Sequence, residues 1–134
     1  MTKNALESKH VYARKKGRVA FVFYDFETRQ DATLKGTTNV KKHVPTLCVA
    51  QQICEECAES NDMSARCRWC GIREFIFKHD PVKQFVEFAT RSTKCFKQII
   101  CIVHNAKAVD AQFVMQYIVK QIARQTLSHY ALCK

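Results

Sequence analysis

Asp25 and Glu27 close an apolar run, Val19-Ala20-Phe21-Val22-Phe23-Tyr24-Asp25-Phe26-Glu27-Thr28. In a strand, residues two apart point to one face, so both carboxylates leave the sheet on the same side. Like charges so close repel unless a cation sits between them. Carboxylate oxygens suit Mg²⁺ or Mn²⁺. An isolated Asp-x-Glu is commonly just a strand end running into a polar turn, so the rest of the chain decides its meaning. A second chemistry is written in Cys54-Glu-Glu-Cys57 and Cys67-Arg-Trp-Cys70, two CxxC pairs nine residues apart. Each pair can turn two thiolates toward one ion, and the spacer lets the second pair fold back. Four thiolates fit tetrahedral Zn²⁺, and such a site is coordinatively closed, hence structural. Redox pairs or buried thiols are the other readings, but the segment is polar and no redox helix adjoins either pair. Cys48, Cys95, Cys101 and Cys133 have no partner spacing. Cys48 and Cys101 fall in apolar strands and are expected in the core.

The elements that must hold these residues follow from periodicity. Residues 1–17 read as a polar, basic arm of low order. Residues 18–26 are apolar on both faces, the pattern of a central strand covered on both sides. Residues 29–42 read as a loop or wide turn around Gly36. A second strand is expected across 44–52, with Pro45 at its start. The cysteine segment 53–71 follows, then a third strand at 73–77. Asp80-Pro81 predicts a helix start with Asp80 as N-cap, ending near Arg91–Lys94. Gln98–Val103 is a short apolar run, hence a buried strand. After a turn at 104–107, a second helix is expected from Asp110, with Phe113, Val114, Tyr117, Ile118 and Ile122 on one stripe. The order β-β-β-α-β-α makes a mixed α/β sheet, with a zinc knuckle inserted between strands two and three.

Composition points to a polyanion partner. The 134 residues carry 22 Lys and Arg against 12 acids, a net charge of +10. Such an excess favours nucleic acid through phosphate neutralisation. The charge is uneven: Lys3, Lys9, Arg14, Lys15, Lys16 and Arg18 crowd the start, and beyond Glu87 the sole acid is Asp110. The N-terminal stretch lacks a signal-peptide core, and no run approaches the ~18 apolar residues of a membrane span. A nuclear or cytoplasmic protein, not a secreted one and without a membrane partner, is expected; Arg14-Lys15-Lys16-Gly17-Arg18 would serve as a nuclear signal. In that setting eight cysteines speak for metal or free thiols and against a disulfide framework.

The buried strand ending in His104-Asn105, followed by Asp110-Ala111-Gln112-Phe113, complements Asp25-Phe26-Glu27-Thr28 upstream. Together with His43-Val44-Pro45-Thr46 and Cys67-Arg68-Trp69-Cys70-Gly71, this combination resembles the proofreading 3′–5′ exonuclease domain of family B DNA polymerases. The likeness is closest to the protein-primed polymerases of Polinton/Maverick-type elements and related viruses, and spans roughly residues 18–120. The resemblance implies an RNase H-like fold over 18–134 and a two-metal exonuclease mechanism. By the same resemblance, Asp25 would bridge both Mg²⁺ or Mn²⁺ ions, Glu27 would bind one, and Asp110 would hold the other through water. Asn105 and Phe113 would contact the single-stranded 3′ end of a DNA primer. The remainder of such a polymerase, or a terminal protein, would be a further partner.

Two departures shape the functional expectation. Ala108-Val109 stands where the family has Gly-Tyr. The family's third acidic motif, Tyr-x3-Asp, has no counterpart: Gln121 follows Tyr117 at that spacing, and Lys134 follows Tyr130. The expectation is therefore an N-terminal exonuclease-domain fragment of a DNA-replicating polymerase that is inactive by itself. The alternative is a non-catalytic nucleic-acid or protein binding module, in which Arg66, Arg68, Trp69 and Arg73 make the zinc knuckle a basic contact surface.

Overall fold

The computed structural model describes residues 18–57, 62, 64–103 and 108–132. The basic arm of residues 1–17 and the turn at 104–107, including Asn105, lie outside the described residues. Four strands, β1 (Val19–Thr33), β2 (Lys41–Cys54), β3 (Glu74–Phe77) and β4 (Gln98–Val103), form one mixed sheet in the order β3-β2-β1-β4. β1 pairs antiparallel with β2 and parallel with β4, and β2 pairs antiparallel with β3. Helix α1 (Pro81–Ala89) connects β3 to β4, and α2 (Ala108–Leu132) follows β4. The β-β-β-α-β-α order and the mixed α/β class agree with the sequence reading. No helix among the described residues is long and apolar enough to cross a membrane.

The first hairpin departs from expectation. The ladder continues through Ala32↔Lys42 and Thr33↔Lys41, across residues read as a loop. Backbone pairing needs no apolar alternation, and Gln30-Asp31 opposite His43 offered none to detect. The turn closes at Gly36, whose φ of 83° suits a residue without Cβ.

β1 is also covered differently from the sequence reading. Both helices pack on one face, around Val22, Tyr24, Phe26, Cys48, Ala50 and Phe85, joined by Val82, Phe88, Phe113 and Val114. The other face carries Phe21 and Phe23, half-buried by neighbouring strands, and leaves Ile76 and Ile102 exposed. The apolar run therefore reports a central strand with one helical layer, not two. Cys48 lies in the core as expected, whereas Cys101, opposite Val22 on the edge strand β4, is exposed. Ile122 is exposed too, because α2 reaches past the core in its second half.

α1 starts at Pro81, but Asp80 is not the expected side-chain cap. Asp80 takes the left-handed conformation (φ 45°, ψ 62°), and its carboxylate makes no cap bond. A following proline disfavours the helical region for this residue, and Asp tolerates αL. The helix ends at Ala89, short of Arg91–Lys94. There the Thr90 hydroxyl and N–H both donate to the Val86 carbonyl, and Arg91 donates to Phe88.

Burial tunes two core protons. Burial pushes the Tyr24 hydroxyl from 10.0 to about 12, with Cys101, Asp110 and Cys48 adding to the shift. Burial, then Asp110 and Asp25, push the Cys48 thiol from 9.0 to about 12. Folded values above the unfolded ones mean that the native state holds these protons more tightly. Their stabilising contribution is complete below about pH 9 and is lost as pH rises toward about 12. The urea midpoint should fall between pH 8 and 10.5, and fall less in Cys48→Ala. A midpoint indifferent to pH over that window would contradict the account.

Candidate functional site

The end of β2 delivers Cys54, and a single 3-10 turn, Glu55–Cys57, returns Cys57 beside it. The Cys54 N–H donates to Cys57 Sγ at 3.1 Å. The second pair sits on a tight loop closed by two backbone bonds, Cys67 N to Gly71 O at 2.8 Å and Gly71 N to Cys67 O at 2.9 Å. Gly71 takes φ 80°, where a side chain would be strained. The Trp69 N–H points at Cys67 Sγ from 3.4 Å.

The four sulfurs converge. Cys54 Sγ lies 3.6 Å from Cys57 Sγ and 3.7 Å from Cys67 Sγ, and Cys57 Sγ lies 3.8 Å from Cys70 Sγ. All four fall within 4.8 Å of one another. A Zn–S bond of about 2.3 Å at tetrahedral angles sets the sulfur–sulfur edge at about 3.8 Å. The four cysteines can therefore hold a metal such as zinc.

Their protonation fits that role. Burial pushes the Cys67 thiol up, but N–H donors from Cys70 and Trp69 and neighbouring thiols outweigh it and bring it down to about 7. Cys54 and Cys70 are both pushed up, chiefly by burial. Cys67 is thus the most readily ionised of the three, and a metal must displace protons from the raised ones. Metal affinity should weaken as pH falls.

The sequence reading misplaced Arg73. It was expected on a basic contact surface, yet it is 2% exposed. Its Nε donates to the Ala65 carbonyl at 2.9 Å and its Nη1 to Cys57 O at 3.4 Å, while Nη2 donates to Asp62 O. One guanidinium thereby ties both halves of the cysteine insert to the root of β3. The signal was present in the period-two series Arg73, Phe75, Phe77, which puts Arg73 on the core-facing side of the strand. Gln52, also buried, donates to Cys70 O and accepts from Arg91 Nη2 at 2.6 Å, linking the insert to the end of α1. Trp69 lies under the Arg18 guanidinium at 4.1 Å, with Arg68 at 5.9 Å. Arg18 in turn approaches Glu56 at 3.8 Å.

Asp25, Glu27 and Asp110 lie near one stretch of β1 but do not share a face of the sheet. Asp25 is half-buried and Glu27 exposed, both on the sheet face away from the helices. Asp25 lines a 280 Å³ depression with Phe23, Val49 and Gln51. Asp110, in the first turn of α2, is 2% exposed. Its Oδ2 accepts the N–H of Phe26, the residue between Asp25 and Glu27, at 3.3 Å. The β1–β4 ladder ends at Tyr24↔Val103, so the Phe26 N–H lies just past the end of β4. Asp110 supplies the acceptor that a longer β4 would have provided. The three carboxylates are less tightly grouped than the sulfurs: among the described residues, only the cysteines form a group of three or more ligands within 4.8 Å. Phe113 packs edge-to-face on Phe26 at 5.8 Å, as part of the core. No family model matches the chain, and comparisons with curated proteins and with solved structures likewise return no match.

Proposed function

We propose that this chain is an exonuclease-type unit of a protein-primed family B DNA polymerase, bearing a structural zinc knuckle. On this reading its fold is RNase H-like, and Asp25, Glu27 and Asp110 form part of a divalent-metal site. The observation that carries the reading is the Asp110–Phe26 hydrogen bond, which brings a carboxylate from α2 to the backbone between Asp25 and Glu27. The parallel pairing of β1 with β4 supports it, since α2 follows β4 and starts beside the acidic end of β1.

Carboxylate oxygens suit Mg²⁺ or Mn²⁺; bound there, such ions would stabilise charge on the attacking water and the leaving 3′ oxygen. Asp25 and Glu27 would offer their ligand atoms from the open sheet face, and Asp110 would add charge from the side. The third acidic motif has no counterpart in this sequence, so these residues by themselves bind metal and the 3′ end of single-stranded DNA without hydrolysing it efficiently. Asn105 and Phe113 are the proposed contacts to that end. The rest of a polymerase or a terminal protein would complete the assembly.

Mn²⁺ binding followed by electron paramagnetic resonance tests this reading. Asp25→Asn and Asp110→Asn should each weaken Mn²⁺ at least tenfold, with Asp110→Asn keeping an oxygen for Phe26. Incubation with single-stranded DNA and Mn²⁺ should give only trace cleavage. Mn²⁺ binding unaffected by both substitutions would sink the metal site. Robust cleavage abolished by Asp25→Ala would show the site to be complete. The stacked array of Arg18, Trp69 and Arg68 beside the cysteines favours a second reading, a non-catalytic nucleic-acid or protein binding module. It would be preferred if single-stranded DNA bound tightly with no divalent metal and lost affinity in Arg68→Ser.

A further inference from the structure

The β1–β2 hairpin runs well past the rest of the sheet. β3 pairs only with Cys48–Gln51, and β4 only with Val19–Tyr24. Beyond Glu27 and Leu47 the two strands continue alone to Thr33 and Lys41, capped by the Leu34–Val40 turn. From Arg29 to Thr33 the ribbon spans roughly 14 Å at about 3.4 Å per residue. Apart from Ala32, whose side chain is not described, every residue from Arg29 to His43 is exposed. A two-stranded ribbon with no core is marginal in water. This one holds its register through the backbone ladder and a Gln30–His43 side-chain pair at 3.2 Å.

Its charge is one-sided. Arg29, Lys35, Lys41 and Lys42 face one acid, Asp31, which pairs with Arg29 at 3.2 Å. Among the described residues Lys35, Lys41 and Lys42 make no ion pair, and all three are exposed. Lys41 and Lys42 are adjacent in a strand, so they project from opposite faces of the ribbon. Leu34 and Val40, 44% and 51% exposed, flank the polar turn Lys35-Gly36-Thr37-Thr38-Asn39 at the tip.

We infer that this ribbon is a duplex nucleic-acid grip that enters the major groove. A two-stranded ribbon fits a groove about 12 Å wide, whose two walls are lined with phosphates. Cations leaving both faces of the ribbon match both walls, and the polar turn at the tip, with Thr37, Thr38 and Asn39, meets base edges at the floor, backed by the exposed Leu34 and Val40. A solvated basic hairpin would need neither cations on both faces nor exposed apolar side chains behind its turn. The inference rests on the proposed exonuclease reading in one respect: the ribbon begins two residues past Glu27, so the gripped duplex would lie beside the acidic site and its 3′ overhang would lead there.

Fluorescence anisotropy with a labelled duplex bearing a 3′ overhang, and with the single strand alone, tests the inference on the whole chain. In Lys35→Ser/Lys41→Ser/Lys42→Ser, duplex affinity should fall at least tenfold. The slope of log K against log salt should shrink by about 2.7, the value for three phosphate contacts. Single-strand affinity should change less than twofold. Lys41→Gln/Lys42→Gln should give about two-thirds of the slope change, and both variants should keep the wild-type urea midpoint. Unchanged duplex affinity, an equal loss for single strand and duplex, an equal loss for polyglutamate, or no duplex binding by the wild type would each overturn the inference. Mn²⁺ binding, read separately, keeps the two ideas apart. The ribbon variants should bind Mn²⁺ normally, and a metal site that fails leaves the duplex result to stand alone.

Discussion

Protein purified without chelator should carry one zinc per chain, and removing that zinc should destabilise it about as much as the most damaging core truncation. The reason lies in how little else holds the insert. Between Glu55 and Arg73 the described residues bury only Cys57 and Arg73, so the segment has no apolar core of its own. Four thiolates around one ion would replace that core, and the metal's binding free energy would become folding free energy. Free zinc a thousandfold above its dissociation constant contributes about 4 kcal/mol. For a domain of this size that corresponds to a drop in Tm on the order of 10–20 °C on metal removal. Cys70→Ser should reproduce the loss, since Cys70 Sγ lies in contact with Cys57 Sγ. Metal analysis and a melt with and without chelator check both points. Clearly less than one equivalent of zinc, or a chelated melt that matches the untreated one, would remove the structural role. The stabilisation should also fade as pH falls, because protons compete with the metal for the raised thiols Cys54 and Cys70.

Phe85→Ala should cost about 3–5 kcal/mol, a large share of the stability of a domain this small. Phe85 is 1% exposed and sits where the helical layer meets the sheet. Its ring centroid lies 4.3 Å from that of Tyr24, 5.9 Å from Phe26 and 6.4 Å from Phe77. Truncation opens a cavity between three aromatic rings that cannot close over it, so the cavity cost adds to the lost transfer energy. Phe26 also connects to Phe113 and carries the N–H that Asp110 accepts. The loss should therefore loosen the docking of α2 as well. Ile122→Ala, at a position 57% exposed on the same helix, should change stability by no more than about 0.5 kcal/mol. Urea unfolding of both variants makes the comparison. Similar midpoints for the two would mean that the aromatic cluster is not the centre of the core.

By itself the sequence determined the features that depend on residue type and short spacing. The two CxxC pairs specified their ligand set, because thiolate chemistry and a nine-residue spacer leave few other arrangements. The apolar runs at Val19–Tyr24 and Gln98–Val103 specified strands, and Asp80-Pro81 located the start of α1 to the residue. The tertiary structure decided whatever depends on partners far apart in the chain. Which face of β1 is covered depends on where α1 and α2 dock, and the residues of β1 cannot encode that alone. The long ribbon was hidden because backbone ladders form between polar residues as well as apolar ones. Arg73 became a buried strut only because the folded insert brings the Cys57, Asp62 and Ala65 carbonyls around it. Asp110 reaches Phe26 across 84 residues of sequence, because β4 stops short and leaves one N–H of β1 for a side chain to satisfy.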